Sequence, residues 1–156
     1  EKKSRVMSEK EKKLTAYHEA GHALATYYCK TQDPVHQISI IPRGMAGGMT
    51  ISLPDEDRSY LSRSYLLSQI VSLLGGRAAE QLILGDISTG ASNDIEQATK
   101  LARAMITRLG MSDTFGMTAL ETVNNQYLGG DTSLACSAET GVRSSWLTFA
   151  TTSRLI

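Results

Sequence analysis

The chain has 156 residues, 41% of them apolar and 21% charged, a composition that supports one domain with a buried core. Sixteen basic residues balance sixteen acidic ones, so no field of one sign points to nucleic acid or to an anionic membrane surface. No apolar run approaches the roughly 18 residues of a membrane span, and no signal-peptide pattern is present. Cys29 and Cys136 form no CxxC pair; they read as buried thiols of a reducing compartment, not as a disulfide framework or a cysteine zinc site. The chain opens on Glu-Lys-Lys, not on Met, and reads as a piece of a longer protein.

The first element is predicted over about Glu9–Cys29. Ser8 with Glu11 three residues on has the spacing of a capping box, which satisfies two orphan N–H groups at a helix start. Leu14, Tyr17, Leu24 and Tyr28 supply an apolar stripe at roughly helical spacing. Gly21 costs such a helix about 1 kcal/mol relative to alanine, so its presence implies that another backbone approaches closely there. Next, Ile38, Ile40 and Ile41, a glycine turn at 44–48 and Thr50–Leu53 describe a two-stranded ribbon closed by Pro54. A lone ribbon is marginal and must lean on helices. From Asp57 the helical period returns through Leu61, Leu66, Ile70, Leu74 and Leu82, with Gly75-Gly76 as a point where the helix could kink or split. The stretch "LGDISTGASND" reads as a loop. A third helix follows, carrying Ile95, Ala98, Leu101, Ala102, Met105, Ile106 and Leu109 on one side. Asn93 and Glu96 have capping-box spacing, and Gly110 stands at the C-terminal end. Residues 141–156 are rich in Ser and Thr, show no clean helical stripe and stay unassigned.

The chemistry concentrates in "HEAGH" at 18–22. Residues four apart on a helix differ by about 40° around the axis, so His18 and His22 can aim two imidazoles at one ion. Zinc suits neutral imidazole nitrogen and tetrahedral geometry. Glu19 lies about 100° round from His18, poorly placed to join the ligands but able to reach a water on an open zinc position, as in HExxH zinc hydrolases. Catalytic zinc normally has three protein ligands. His36 lies close behind in the chain, and the position that would supply a histidine six residues after the pair holds Tyr28. Asp94 is favoured as the third ligand, because a carboxylate at a helix N-terminus is stabilised as the anion and the loop before it lets the backbone aim it. Glu80 is the next choice; it could instead pair with Arg77 or fix one imidazole tautomer from behind.

"HEAGHA", "SIIPRG", "GGRAAE" and "STGASNDIEQAT", in this order, resemble the peptidase domain of the FtsH family over roughly residues 1–140. That resemblance implies a mainly α-helical bundle with a small β-ribbon near the site. It implies zinc held by His18, His22 and Asp94, and Glu19 as catalytic base. It divides the chain into a linker at 1–7 from an ATPase module, a zinc metallopeptidase domain at 8–140 and a divergent or truncated tail at 141–156. Family members are ATP-dependent, membrane-anchored hexamers that degrade unfolded or membrane proteins. A bacterial inner membrane with the peptidase on its cytoplasmic side is therefore the implied setting. No GxxxxGK[ST] phosphate loop occurs in these residues, so ATP dependence would come from elsewhere. The competing expectation is a zinc-binding helical module that assembles or holds substrate without turnover.

Overall fold

The computed structural model describes residues 7–42, 47–54, 57–124 and 131–154. They form a mainly α-helical bundle of four helices with two small antiparallel ribbons. Helix α1 spans Glu9–Tyr28, and its capping box is made: the Ser8 hydroxyl accepts from Glu11 N, and the Glu11 carboxylate accepts from Ser8 N. Glu9 and Glu11 in the first turn also favour the positive end of the helix dipole.

The face that α1 buries is not the apolar one expected. Thr15, His18, Glu19, Gly21 and Thr26 are buried, whereas Leu24 and Tyr28 are 58% and 77% exposed. The reason is steric. A Cβ on Gly21 would lie 2.4 Å from Gly75 O and 2.6 Å from Ala79 Cβ, and one on Gly75 would lie 2.6 Å from Gly21 O. Two backbones touch at this point, as the glycine in the first helix implied. Closeness there turns the neighbouring ligand-type side chains inward and the larger apolar ones outward.

Gly75 belongs to α2, Arg63–Ala79. This helix starts six residues later than Asp57, because the Ser62 hydroxyl caps it by accepting from Tyr65 N. Gly75-Gly76 neither kink nor split it; their missing side chains make room for α1 instead. A π-turn at Glu80–Leu84 follows, closed by Gly85 in the left-handed region at φ +65°. The expected loop is accordingly shorter, and Leu82 is exposed, outside the core. A single 3-10 turn at Thr89–Ala91, capped by Ser88, runs straight into α3, Ser92–Thr107. The Asn93–Glu96 capping box is therefore not used: the helix has already begun at Ser92, and Glu96 pairs with Lys100. Gly110 takes φ +61° just beyond the helix end. Leu66, Ile70 and Leu74 of α2 pack on Ala98, Ala102 and Met105 of α3 to make the core.

The first ribbon pairs β1 (Val35–Ser39) with β2 (Met49–Ser52), Ile38 opposite Thr50 and Ser39 opposite Met49. Ile40 and Ile41 lie beyond β1, and the expected turn falls partly outside the described residues. A second ribbon, β3 (Glu121–Asn124) with β4 (Asp131–Leu134), lies where no strand was expected.

Residues 155–156 lie outside the described residues, and the described residues of the unassigned tail 141–156 belong to α4, Ala138–Arg154. Its inner stripe recurs at helical spacing but in small and hydroxyl residues, so an apolar period does not reveal it. Gly141, Ser144 and Thr148 are buried. Ser144 donates to Gly141 O, Thr148 to Ser144 O and Thr152 to Thr148 O, which neutralises the hydroxyls inside the helix itself. Ser144 and Thr148 face Thr99 and Arg103 of α3 across a cavity of about 230 Å³. Trp146 is 68% exposed.

Arg103 also ties α3 to the second ribbon. Its Nε donates to Glu121 Oε1 at 2.9 Å, and Thr107 Oγ1 donates to Glu121 Oε2 at 3.0 Å. Burial pushes the Glu121 carboxyl up, but these bonds and the Arg103 charge outweigh it and hold it below the ordinary glutamate range. A lowered carboxyl stabilises the fold above its unfolded pKa and loses that contribution as pH falls through its folded one. Glu121→Gln is thus expected to lower thermal stability fully above about pH 5, with the gap to the unsubstituted chain closing below about pH 4. Melting curves across this range check it; a gap independent of pH would show that the charge contributes nothing.

Candidate metal centre

His18 and His22 project from successive turns of α1, and Asp94 from the first turn of α3. His18 Nε2 and His22 Nε2 are 3.0 Å apart. Asp94 Oδ2 lies 3.3 Å from the first and 3.5 Å from the second. A tetrahedral ion with arms of about 2.0–2.1 Å separates its ligand atoms by roughly 3.3 Å. The three spacings bracket that value, and two imidazole nitrogens with one carboxylate oxygen are a donor set that zinc accepts. Among the described residues, this is the one group of three such side chains close enough to hold a metal.

The rings are oriented from behind. His22 Nδ1 lies 2.7 Å from Ser72 O. A carbonyl oxygen only accepts, so Nδ1 carries the proton and the neutral ring presents its Nε2 lone pair to the site. His18 Nδ1 lies 2.8 Å from Glu80 Oε1. Glu80 is fully buried, at 0% exposure, and also accepts from Ser88 N and Ser88 Oγ. Burial raises its carboxyl, yet the Ser88 backbone bond, the His18 bond and the Ser88 hydroxyl prevail and hold it below the ordinary range, anionic. The π-turn begins at Glu80, where this carboxylate leaves the helix for His18. Glu80 therefore stands behind a ring and is not among the three converging atoms. It engages His18 and Ser88, not Arg77.

The electrostatics of the cluster favour positive charge. Burial pushes His18 down, but bonds and charges from Asp94 and Glu80 raise it above its ordinary value. Burial pushes Asp94 up, and the two histidines outweigh that and hold it well below the usual carboxylate range. Anionic oxygens gathered around imidazole nitrogens in a half-buried place suit a divalent cation.

Glu19 is buried at 6% exposure, and Thr50 Oγ1 of β2 lies 2.7 Å from its Oε2. Gly76 backs the cluster: a Cβ there would lie 2.6 Å from His22 Nε2 and 2.7 Å from His18 Nε2. Sequence reasoning weighed His36, which is exposed on β1 and is not one of the three converging side chains. It missed Ser72, Ser88, Thr50 and Gly76. The first acts through its backbone and could not have been found from residue type. The double glycine within a helix was the one usable signal for the last.

These features define a centre of two histidines on an HExxH helix and one carboxylate from the start of a second helix. The family model described as Peptidase family M41 matches residues 5–143, and the chain belongs to that family. It is 56% identical over 136 residues to the ATP-dependent zinc metalloprotease FtsH of Caldicellulosiruptor bescii, covering 86% of this chain and 22% of that protein. It is 57% identical over 132 residues to the ATP-dependent zinc metalloprotease FtsH 2 of Alkaliphilus metalliredigens, 84% of this chain and 19% of that one. It is 50% identical over 141 residues to the ATP-dependent zinc metalloprotease FtsH of Clostridium perfringens, 90% of this chain and 20% of that one. The chain thus spans about a fifth of the length of these curated relatives.

Proposed function

We propose that this chain is the zinc metalloendopeptidase part of an ATP-dependent protease that cleaves unfolded polypeptides. The observation that carries the reading is the convergence of His18 Nε2, His22 Nε2 and Asp94 Oδ2 beside a buried Glu19. Three protein ligands suit catalytic zinc, whereas structural zinc is normally closed by four, and the described residues supply no fourth. This favours turnover over a purely assembling zinc module.

His18, His22 and Asp94 would hold zinc, which would supply Lewis acidity to lower the pKa of water toward ~7 and polarise a carbonyl. Glu19 takes the proton of the attacking water and returns it to the leaving amine. Glu80 and the Ser72 carbonyl keep both rings in the tautomer that leaves Nε2 free. The ribbon of β1 and β2 offers main-chain groups along which an extended peptide can add as a strand, a mode that gives affinity with little sequence preference. ATP dependence is supplied by a module outside residues 1–156, in a hexamer anchored to a bacterial inner membrane with the peptidase on its cytoplasmic side. No helix among the described residues is long and apolar enough to cross a membrane.

Asp94→Ala tests the ligand set. Zinc per chain, measured by atomic absorption, is expected to fall to a small fraction, and casein cleavage with it. A chelator should likewise stop cleavage by the unsubstituted chain, and added zinc should restore it. Full zinc occupancy in Asp94→Ala would move the third ligand elsewhere.

A further inference from the structure

Thr50 is the ribbon residue that reaches Glu19. Its hydroxyl oxygen lies 2.7 Å from Glu19 Oε2 and 3.1 Å from the Glu19 backbone oxygen. Both neighbours only accept, so Thr50 donates, and its single proton favours the nearer, charged oxygen. On the other side the backbone of Gly48 closes the space. A Cβ at Gly48 would lie 2.7 Å from Glu19 Oε1, 2.8 Å from its Cγ and 2.6 Å from Thr15 Cγ2. The carboxylate is thus held between a donor and a bare backbone two residues apart in the same segment.

We propose that Thr50 is a positioning residue for peptide cleavage, its hydroxyl fixing the orientation of the Glu19 carboxylate that takes the proton. The inference rests on Glu19 being the base. A glutamate has three rotatable side-chain bonds, and a base must stand within hydrogen-bond reach of the proton it removes. The donor comes from β2, not from α1, so it fixes the carboxylate from outside the helix that carries it. Thr50 also faces Ile38 across the ribbon proposed to seat substrate, so base alignment and substrate docking share one element.

Thr50→Val keeps the branched shape and removes the donor; Thr50→Ser keeps the donor and removes the methyl group. In the zinc-loaded full chain acting on casein, Thr50→Val is expected to lower kcat roughly tenfold with KM changed by less than about twofold. Thr50→Ser recovers most of that loss. Both variants are expected to hold the same zinc per chain and to melt together with the unsubstituted chain. A crystal structure of zinc-loaded Thr50→Val is expected to show the Glu19 carboxylate turned away from its original position. An unchanged kcat in Thr50→Val, a Thr50→Ser as slow as Thr50→Val, or an unmoved carboxylate overturns the proposal. Glu19→Gln assayed alongside separates the two ideas. If it stays active, the base assignment fails and takes the role of Thr50 with it. If it is inactive while Thr50→Val is fully active, only the role of Thr50 fails.

Discussion

Glu19→Gln is expected to keep its zinc and lose peptide cleavage by about 10²–10⁴-fold, the range that a positioned proton-transfer group contributes. The substitution preserves shape, and the amide oxygen of glutamine can still accept from the Thr50 hydroxyl, so the ribbon keeps its tie to α1. The rings of His18 and His22 take their orientation from Glu80 and Ser72, neither of which the change touches. What disappears is the ability to carry a proton. Cleavage rates on casein, zinc per chain and melting temperature, measured together, check this. Near-normal cleavage with zinc in place would remove Glu19 from the chemistry.

The second large effect is expected at a residue with no side chain. In Gly76→Ala the new methyl carbon would stand 2.6 Å from His22 Nε2 and 2.7 Å from His18 Nε2, closer than any real contact. Either the helices separate or the rings turn aside. Separation is opposed by the Gly21–Gly75 contact one residue away on α2, and the rings are the mobile ends of side chains. They therefore yield, and the two nitrogens no longer meet. Zinc affinity is expected to fall by at least about 10–100-fold, the loss seen when groups that merely orient ligands are removed. Melting of the metal-free protein should change far less. Competition with a chromophoric chelator measures the affinity, and an unchanged value would show that α2 stands further from the rings than described.

Legibility in the sequence followed the chemistry of each signal. The core of α2 and α3 could be read because Leu66, Ile70, Leu74, Ala98, Ala102 and Met105 repeat an apolar period. The start of α1 could be read because Ser8 and Glu11 form a local, self-contained cap. The convergence of Asp94 with the two histidines could be anticipated from a helix start behind a loop. Other features depended on tertiary partners. The inward face of α1 is polar because it meets glycine and a cluster of charges, so its apolar period misled. The helix α4 hides its inner stripe in Gly141, Ser144 and Thr148, whose polarity is cancelled by their own backbone. The second ribbon carries Glu121, a residue unfavourable in strands, made tolerable by Arg103 and Thr107.

Both imidazoles, the carbonyl that aims one of them and the bare residue behind them ride on just two helices, pinned together at Gly21 and Gly75. In the proposed centre the grip on an ion is therefore mechanical as well as chemical. Whatever pries those two rods apart spoils the coordination angles at once, long before it reaches the leucine layer beneath. In this design the proposed cradle doubles as a strain gauge, and it sits where two bare stretches of main chain meet.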